Sequence, residues 1–315
     1  MRTGIQKKRL WYQVGFFVLF IMAPLFDLFR YDLNEGHFYF LGQHWTLGLE
    51  LFQQGLMESS QASINLLLRG FLPILLAVGL FIFIAWRWGR LYCGWLCPHY
   101  SVVELINNLM FRASGKPSVW EKNPLPELQP GGARIKPARI YWLFTFLAVA
   151  VFSFVWAVSL LTYLLPPQQI YYNLWHAELT RNQLTFIVVA TLLLSIEFTF
   201  ARHFFCRYGC AVGFFQSLAW MANRRAMVIS FAQKKSSLCR QCNNACDNGC
   251  PMRLKPRSIK RRMFTCTQCG ECISACTRQQ GGKPQQSLLT WVEGQQAEQQ
   301  SQPPVGVPLK LKKGC

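Results

Sequence analysis

The chain has 315 residues, of which 51% are hydrophobic, with 25 Phe and 11 Trp and a formal net charge of +19. So apolar a composition excludes an ordinary soluble domain of this length and directs attention to uncharged runs able to cross a bilayer. The positive charge is distributed as a membrane topology signal, which makes nucleic-acid binding a poor explanation for it.

A basic start, MRTGIQKKRL, precedes an apolar run over residues 11–26. The chain continues MAPLFDLF with no small-residue cleavage site, so this run is expected to be a retained span and not a secretory signal. Further runs cover residues 70–86, extended upstream by INLLLR, then 140–165, which has no charge, and 184–200, which carries Glu197. A span needs roughly 20 residues. Arg69, at the edge of the second run, can snorkel. Glu197, one turn from the interface, could serve a quinone or proton site.

Lys and Arg alternate beside these runs. Arg2, Lys7, Lys8 and Arg9 precede the first, Arg30 follows it, and eight cations from Arg87 to Arg139 follow the second. Only Arg181 follows the third, and the chain is basic again after the fourth. The expected topology has four spans with both termini cytoplasmic, in a bacterial inner membrane. All thirteen cysteines then fall on the reducing side, where thiols are metal ligands or redox groups more often than disulfides.

The chain reads as two similar halves. GRLYCGWLCPHYSVVELINNLMF follows the second run and ARHFFCRYGCAVGFFQSLAWMANRR follows the fourth. Each holds a C-x3-C pair, Cys93/Cys97 and Cys206/Cys210. Pro98 suits a first helical turn, so each pair is expected to open a short helix along the inner membrane surface. Residues four apart on a helix share a face, so each pair could aim two thiols at one spot. The duplication could then gather four thiols into one redox or soft-metal site. The plain alternative is two buried pairs that only pack helices.

Eight cysteines follow in two sets: Cys239-x2-Cys242-x3-Cys246-x3-Cys250, and Cys266-x2-Cys269-x2-Cys272-x3-Cys276. The second is the bacterial ferredoxin run without its final proline. In such runs three thiolates hold one cubane and the fourth reaches the other. The expected [4Fe–4S] ligands are Cys239, Cys242, Cys246 and Cys276 for one cluster, and Cys266, Cys269, Cys272 and Cys250 for the other. The competing reading is structural zinc, whose four-cysteine sites usually show two C-x2-C pairs and a longer loop. The extra residue before Cys246 departs from the ferredoxin spacing. Between the sets, RLKPRSIKRR (253–262) could dock an acidic carrier or anionic lipid. His99 and His203 flank the thiol pairs and read as interfacial polar residues. No C-x-x-C-H occurs, so covalent haem is not supported.

With these motifs in place, residues 10–280 resemble the membrane polyferredoxins of the NapH/MauN, FixG/CcoG and NosR types. GHFYFLG (36–42) and CTQCGECISACT (266–277) are similar to family phrases. Full-length FixG/CcoG proteins carry a C-terminal immunoglobulin-like domain, for which these residues show no counterpart. Ala211 stands where the family usually has the second C-x3-C proline.

The resemblance implies electron transfer with partner proteins, as a component of a quinol dehydrogenase, or copper reduction during oxidase assembly, as a cupric reductase. Expected partners are the membrane, donor and acceptor proteins (a respiratory cytochrome, an oxidase or reductase under assembly, a ferredoxin or flavodoxin) and quinone. Expected cofactors are two [4Fe–4S] clusters, with copper at the C-x3-C pairs in the second case. A zinc-bound scaffold is the third reading.

The expected architecture is an α-helical integral membrane protein with four transmembrane helices in two pseudo-repeated pairs (1–235). A small bacterial-type 2[4Fe–4S] ferredoxin domain follows (236–280). The tail (281–315) is rich in Gln, Pro and Gly and is expected to be disordered.

Overall fold

The computed structural model describes residues 4–49, 52, 58–130, 132 and 134–301. Most of the ordered elements are helices. Among the described residues, three helices are long and apolar enough to cross a membrane: Ser59–Trp88, Ile140–Thr162 and Arg181–Ala201. They coincide with the second, third and fourth expected spans. Gly4–Met22 is a fourth long helix, but Lys7, Lys8 and Arg9 lie inside it and only its later part is apolar. It stops short of residue 26 because Pro24 supplies no N–H and disfavours helical backbone just before it.

The chain divides into two compact units whose boundaries fall inside these long helices. One comprises the described residues of Met1–Phe16, Phe83–Val149 and Glu197–Cys315, the other Phe17–Ile82 and Ala150–Ile196. The boundary expected at 235/236 lies inside the first unit. The cysteine-rich segment belongs to the same unit as the N-terminal turns and both C-x3-C segments, because buried hydrogen bonds described below tie them together.

The second unit has a three-stranded antiparallel meander, Phe29–Asp32 (β1), His37–Phe40 (β2) and Gln43–Trp45 (β3). GHFYFLG is the central strand with its flanking turns. Arg30 is buried here and pairs with Asp27 at 2.5 Å and Asp32 at 2.6 Å. Its guanidinium lies 4.0 Å from the Tyr39 ring centre. Val158, Leu161, Ile170 and Ile187 form this unit's apolar core.

In the first unit, helix Pro98–Ser114 follows the first C-x3-C pair and Ala211–Ala222 follows the second. Strand Val228–Phe231 (β4) pairs antiparallel with Leu289–Val292 (β5). Within the tail expected from residue 281, β5 and helix Gln295–Ser301 are formed as far as Ser301. A few apolar residues anchor them: Leu288, Leu289 and Ala297 are all buried. Residues 302–315, including Cys315, lie outside the described residues.

Candidate functional site

The eight cysteines line two small cavities. Cys239, Cys242, Cys246 and Cys276 wall one. Cys250, Cys266, Cys269 and Cys272 wall the other. Each cavity takes three cysteines from one run and the last cysteine of the other run. The two exchanged cysteines are alike in a second respect. Cys250 Sγ accepts the Leu254 N–H at 3.4 Å, and Cys276 Sγ accepts the Leu288 N–H at 3.3 Å. The tail thus provides both a wall and a donor to a site residue, which its composition did not suggest.

Local backbone explains how the loops turn round the cavities. The extra residue before Cys246 is absorbed by Asn243 and Asn244, both left-handed at φ 47° and 55°. Asn tolerates that region better than most residues. In the second run Gln268 turns the loop at φ 52°. It is fully buried and accepts hydrogen bonds from Trp95 Nε1 on its carbonyl, at 3.0 Å, and from Trp291 Nε1 on Oε1, at 3.2 Å.

The thiol chemistry suits cluster binding. Burial pushes the Cys250 thiol up to about 12 and raises Cys246, Cys266 and Cys272 as well. Thiols so buried hold their protons at neutral pH unless a metal displaces them. Among the described residues, no group of three or more His, Cys, Asp and Glu is gathered tightly enough for a single metal ion. Zinc needs four sulfurs about one point, whereas a cubane accepts each thiolate on a different iron. Four cysteines spread round each cavity suit a cubane.

The C-x3-C pairs do not lie on one helical face, which corrects the expected geometry. Cys93 sits in the short helix Leu91–Trp95, while Cys97 precedes Pro98 as the N-cap residue at φ −56°, ψ 115°. Cys206 lies in a wide π-turn, Phe205–Gly209, and Cys210 caps Ala211–Ala222 at φ −81°, ψ 109°. The same arrangement forms with Pro98 or Ala211 at the first helical position.

The two pairs nevertheless meet. Gln216, from the second half, donates to Cys93 Sγ at 3.5 Å. Arg90, from the first half, is fully buried and donates through Nη2 to the Cys206 carbonyl at 2.6 Å. A Cβ on Gly213 would come within 2.1 Å of that Nη2, so the arginine fits only against glycine. Burial raises Cys206 well above the ordinary thiol range and Cys97 to about 12.

The first thiol loop also packs on the second cysteine run. Gly94 touches its backbone, where an added Cβ would lie 2.1 Å from the Thr267 carbonyl oxygen. Thr267 Oγ1 donates to the Tyr100 hydroxyl at 3.3 Å. The N-terminal helix closes the same junction: Gln6 Nε2 donates to the Cys269 carbonyl at 3.0 Å and Arg9 Nε to the Gly94 carbonyl at 2.7 Å. Arg9, read from sequence as a topology charge, is a buried ion-pair partner of Glu104.

Sequence reasoning missed two features. His99 bridges Cys206 and Glu197, groups that are far apart in the chain. The cations of RLKPRSIKRR are also not a free docking stripe. Arg253 pairs with Glu121 at 2.6 Å and Arg257 with Asp247 at 2.9 Å. Lys260 is buried and donates to the Trp220 and Asn223 carbonyls. Only Lys255, Arg261 and Arg262 of the six are exposed.

A family model described as a 4Fe-4S binding domain matches the chain twice, over residues 70–117 and 182–230. The two matches are the two halves of the duplication. They contain Cys93, Cys97, Cys206 and Cys210, and neither includes any of the eight clustered cysteines. The uncharacterized protein MJ0749 of Methanocaldococcus jannaschii is 26% identical over 62% of this chain and 65% of its own length. MJ0750 of the same organism is 27% identical over 60% of this chain and 70% of its own length. The Escherichia coli protein named "Putative electron transport protein YccM" is 24% identical over 62% of this chain and 51% of its own length. The matched region therefore spans about half to two thirds of each of these relatives. No solved structure matches the chain. These similarities support an iron–sulfur protein of electron transfer.

Proposed function

We propose that the chain is a membrane electron-transfer protein of the polyferredoxin type, similar to the NapH and FixG/CcoG groups. In this reading it binds one [4Fe–4S] cluster through Cys239, Cys242, Cys246 and Cys276 and another through Cys250, Cys266, Cys269 and Cys272. The observation that carries the reading is the lining of the two cavities, each by four cysteines drawn from both runs. When bound, such clusters supply one-electron steps at low potential. The chain's own residues hold the thiols in place, exclude water and press the Cys93–Cys97 loop against the Cys266–Cys272 run through Gly94 and Trp95. That contact supports exchange of electrons with a surface site at Cys93, Cys97, Cys206 and Cys210.

The proposed setting is a bacterial cytoplasmic membrane, crossed four times, with both ends cytoplasmic. The proposed partners are a donor and an acceptor of a respiratory chain or its assembly, with quinone as a further donor. A second reading takes copper(II) as the substrate that receives the electron. It is favoured by Cys206 Sγ and His99 Nδ1 lying 3.7 Å apart, a sulfur–imidazole pair that copper accepts.

Anaerobic purification of the full chain tests the reading. About eight irons and eight sulfides per chain are expected. Cys276→Ser should damage the centre of Cys239, Cys242 and Cys246. Damage confined to the centre of its own run would refute the exchanged ligand sets, and zinc without iron would refute the function.

A further inference from the structure

The two cavities have different walls. Beside its cysteines, the Cys250/Cys266/Cys269/Cys272 cavity is lined by Ile229, Met252, Leu254, Pro256, Met263 and Thr267, none of them charged. The Cys239/Cys242/Cys246/Cys276 cavity is lined by Phe231, Leu288, Leu289, Gln279, Gln280 and a cation, Arg257. The cations that act on the cysteines of the first cavity, Arg9, Arg90 and Arg253, are not among its lining residues and have other partners. Arg9 is held by Glu104 and the Gly94 carbonyl, Arg90 by the Cys206 carbonyl and Arg253 by Glu121.

Arg257 is nearly enclosed, with 9% of its side chain exposed. Its Nη2 donates to Asp247 Oδ2 at 2.9 Å and to Asn244 Oδ1 at 3.1 Å. Its Nε–H is buried and has no hydrogen-bond partner among the protein atoms. A buried donor without an acceptor is costly. The cavity that Arg257 lines is where sulfur acceptors would stand if the centre is loaded. Asp247 complicates the local charge, because its Oδ1 lies 3.5 Å from Cys246 Sγ. Alone, that carboxylate would oppose the arrival of an electron. Arg257 neutralises it and brings an unpartnered N–H on a residue that lines the cavity. Both effects favour the more negative, reduced state, and the other cavity's wall has no equivalent.

We propose that Arg257 sets the inequality of the two centres, holding the one bound by Cys239, Cys242, Cys246 and Cys276 at the higher midpoint potential. An electron entering the chain then rests there, and the Cys250/Cys266/Cys269/Cys272 centre, against the Gly94 loop, is the low-potential relay. The inference rests on the proposed loading of both cavities by [4Fe–4S] clusters. Charge and hydrogen bonds to cluster sulfur are general levers on potential. The identity of the residue, the orphaned donor and the opposing carboxylate are particular to this chain.

The test is an EPR-monitored redox titration of the full chain, purified anaerobically, with iron counted in each sample. Wild type should show two midpoints. Arg257→Met should keep its iron and move the higher midpoint downward, narrowing the gap, while the lower stays in place. An unmoved higher midpoint, or an equal shift of both, overturns the proposal. Asp247→Asn is the companion variant, because it removes the opposing charge and leaves the arginine. It should move the same midpoint upward, and it decides the matter if Arg257→Met loses iron. No shift, or a downward one, overturns the proposal. Absence of any cluster signal in wild type refutes the loading of the cavities and is distinct from either result.

Discussion

His99 Nε2 lies 2.9 Å from the Glu197 carboxylate, while its Nδ1 lies 3.7 Å from Cys206 Sγ. A carboxylate at Nε2 favours the tautomer protonated there, which leaves the Nδ1 lone pair facing the thiol. The rings of Phe198 and Phe205 pack on the imidazole, with centroids 5.1 Å and 5.2 Å away. The relationship exists once. At the 113-residue spacing of the cysteine pairs, the counterpart of His99 is Val212 and that of Glu197 is Ile84. The duplicated motif is therefore chemically asymmetric, and Cys206 is the thiol with a base at hand.

Glu197→Gln should release that tautomer without removing volume. Positioned acid–base groups typically contribute about 10²–10⁴-fold, so electron delivery at the thiol site should fall by about 10²-fold with iron content unchanged. Turnover with a reducing donor, measured beside metal analysis, checks this. Turnover equal to wild type would leave His99 and Glu197 as packing partners only.

Gly94→Ala should be severe for a conservative change. Its Cβ would stand 2.1 Å from the Thr267 carbonyl oxygen and 3.3 Å from the Cys269 nitrogen, both backbone atoms that cannot swing aside. Overpacking of this kind costs about 1–3 kcal/mol or more. The loss should appear first at the neighbouring centre, with iron falling by about half, the share of one of two cubanes. Full iron and unchanged thermal unfolding would show that the loop yields easily.

Cys97→Ser asks whether the C-x3-C pairs ligate iron. The 4Fe-4S family match falls on them, while the two cavities are lined by the other eight cysteines. Iron and the low-potential EPR signal should persist while activity disappears. If iron falls by half instead, these cysteines hold a cluster themselves.

Lys260 gives a pH signature. Burial lowers its ammonium to about 8 from an ordinary 10.5. Between those values the unfolded chain binds a proton that the folded chain does not, so stability rises with pH across that window. Below about pH 8 the folded chain carries the full burden of a buried ammonium. Thermal unfolding at pH 7.5 and 9.5 should show wild type gaining stability relative to Lys260→Met. A constant difference between the two proteins at both values would contradict this.

The apolar runs, the duplication and the two cysteine sets were legible in the sequence, because each is a short-range pattern with a direct physical meaning. Uncharged length makes a membrane helix, and cysteine spacing makes a metal loop. The ferredoxin spacing proposes two cluster ligand sets, and iron analysis of Cys276→Ser is their test. Tertiary structure decided everything that depends on which distant groups share a buried place. Arg9, Arg30, Arg253 and Lys260 read as topology or docking charges, since a cation in sequence carries no mark of its partner. The residues after 281 read as disordered because Leu288 and Leu289 become a wall only when β4 and the Cys276 thiol stand beside them. Glu197 and His99 lie 98 residues apart, and nothing local to either points to the other. Only the packing of the two halves brings the carboxylate, the imidazole and the Cys206 thiol into line.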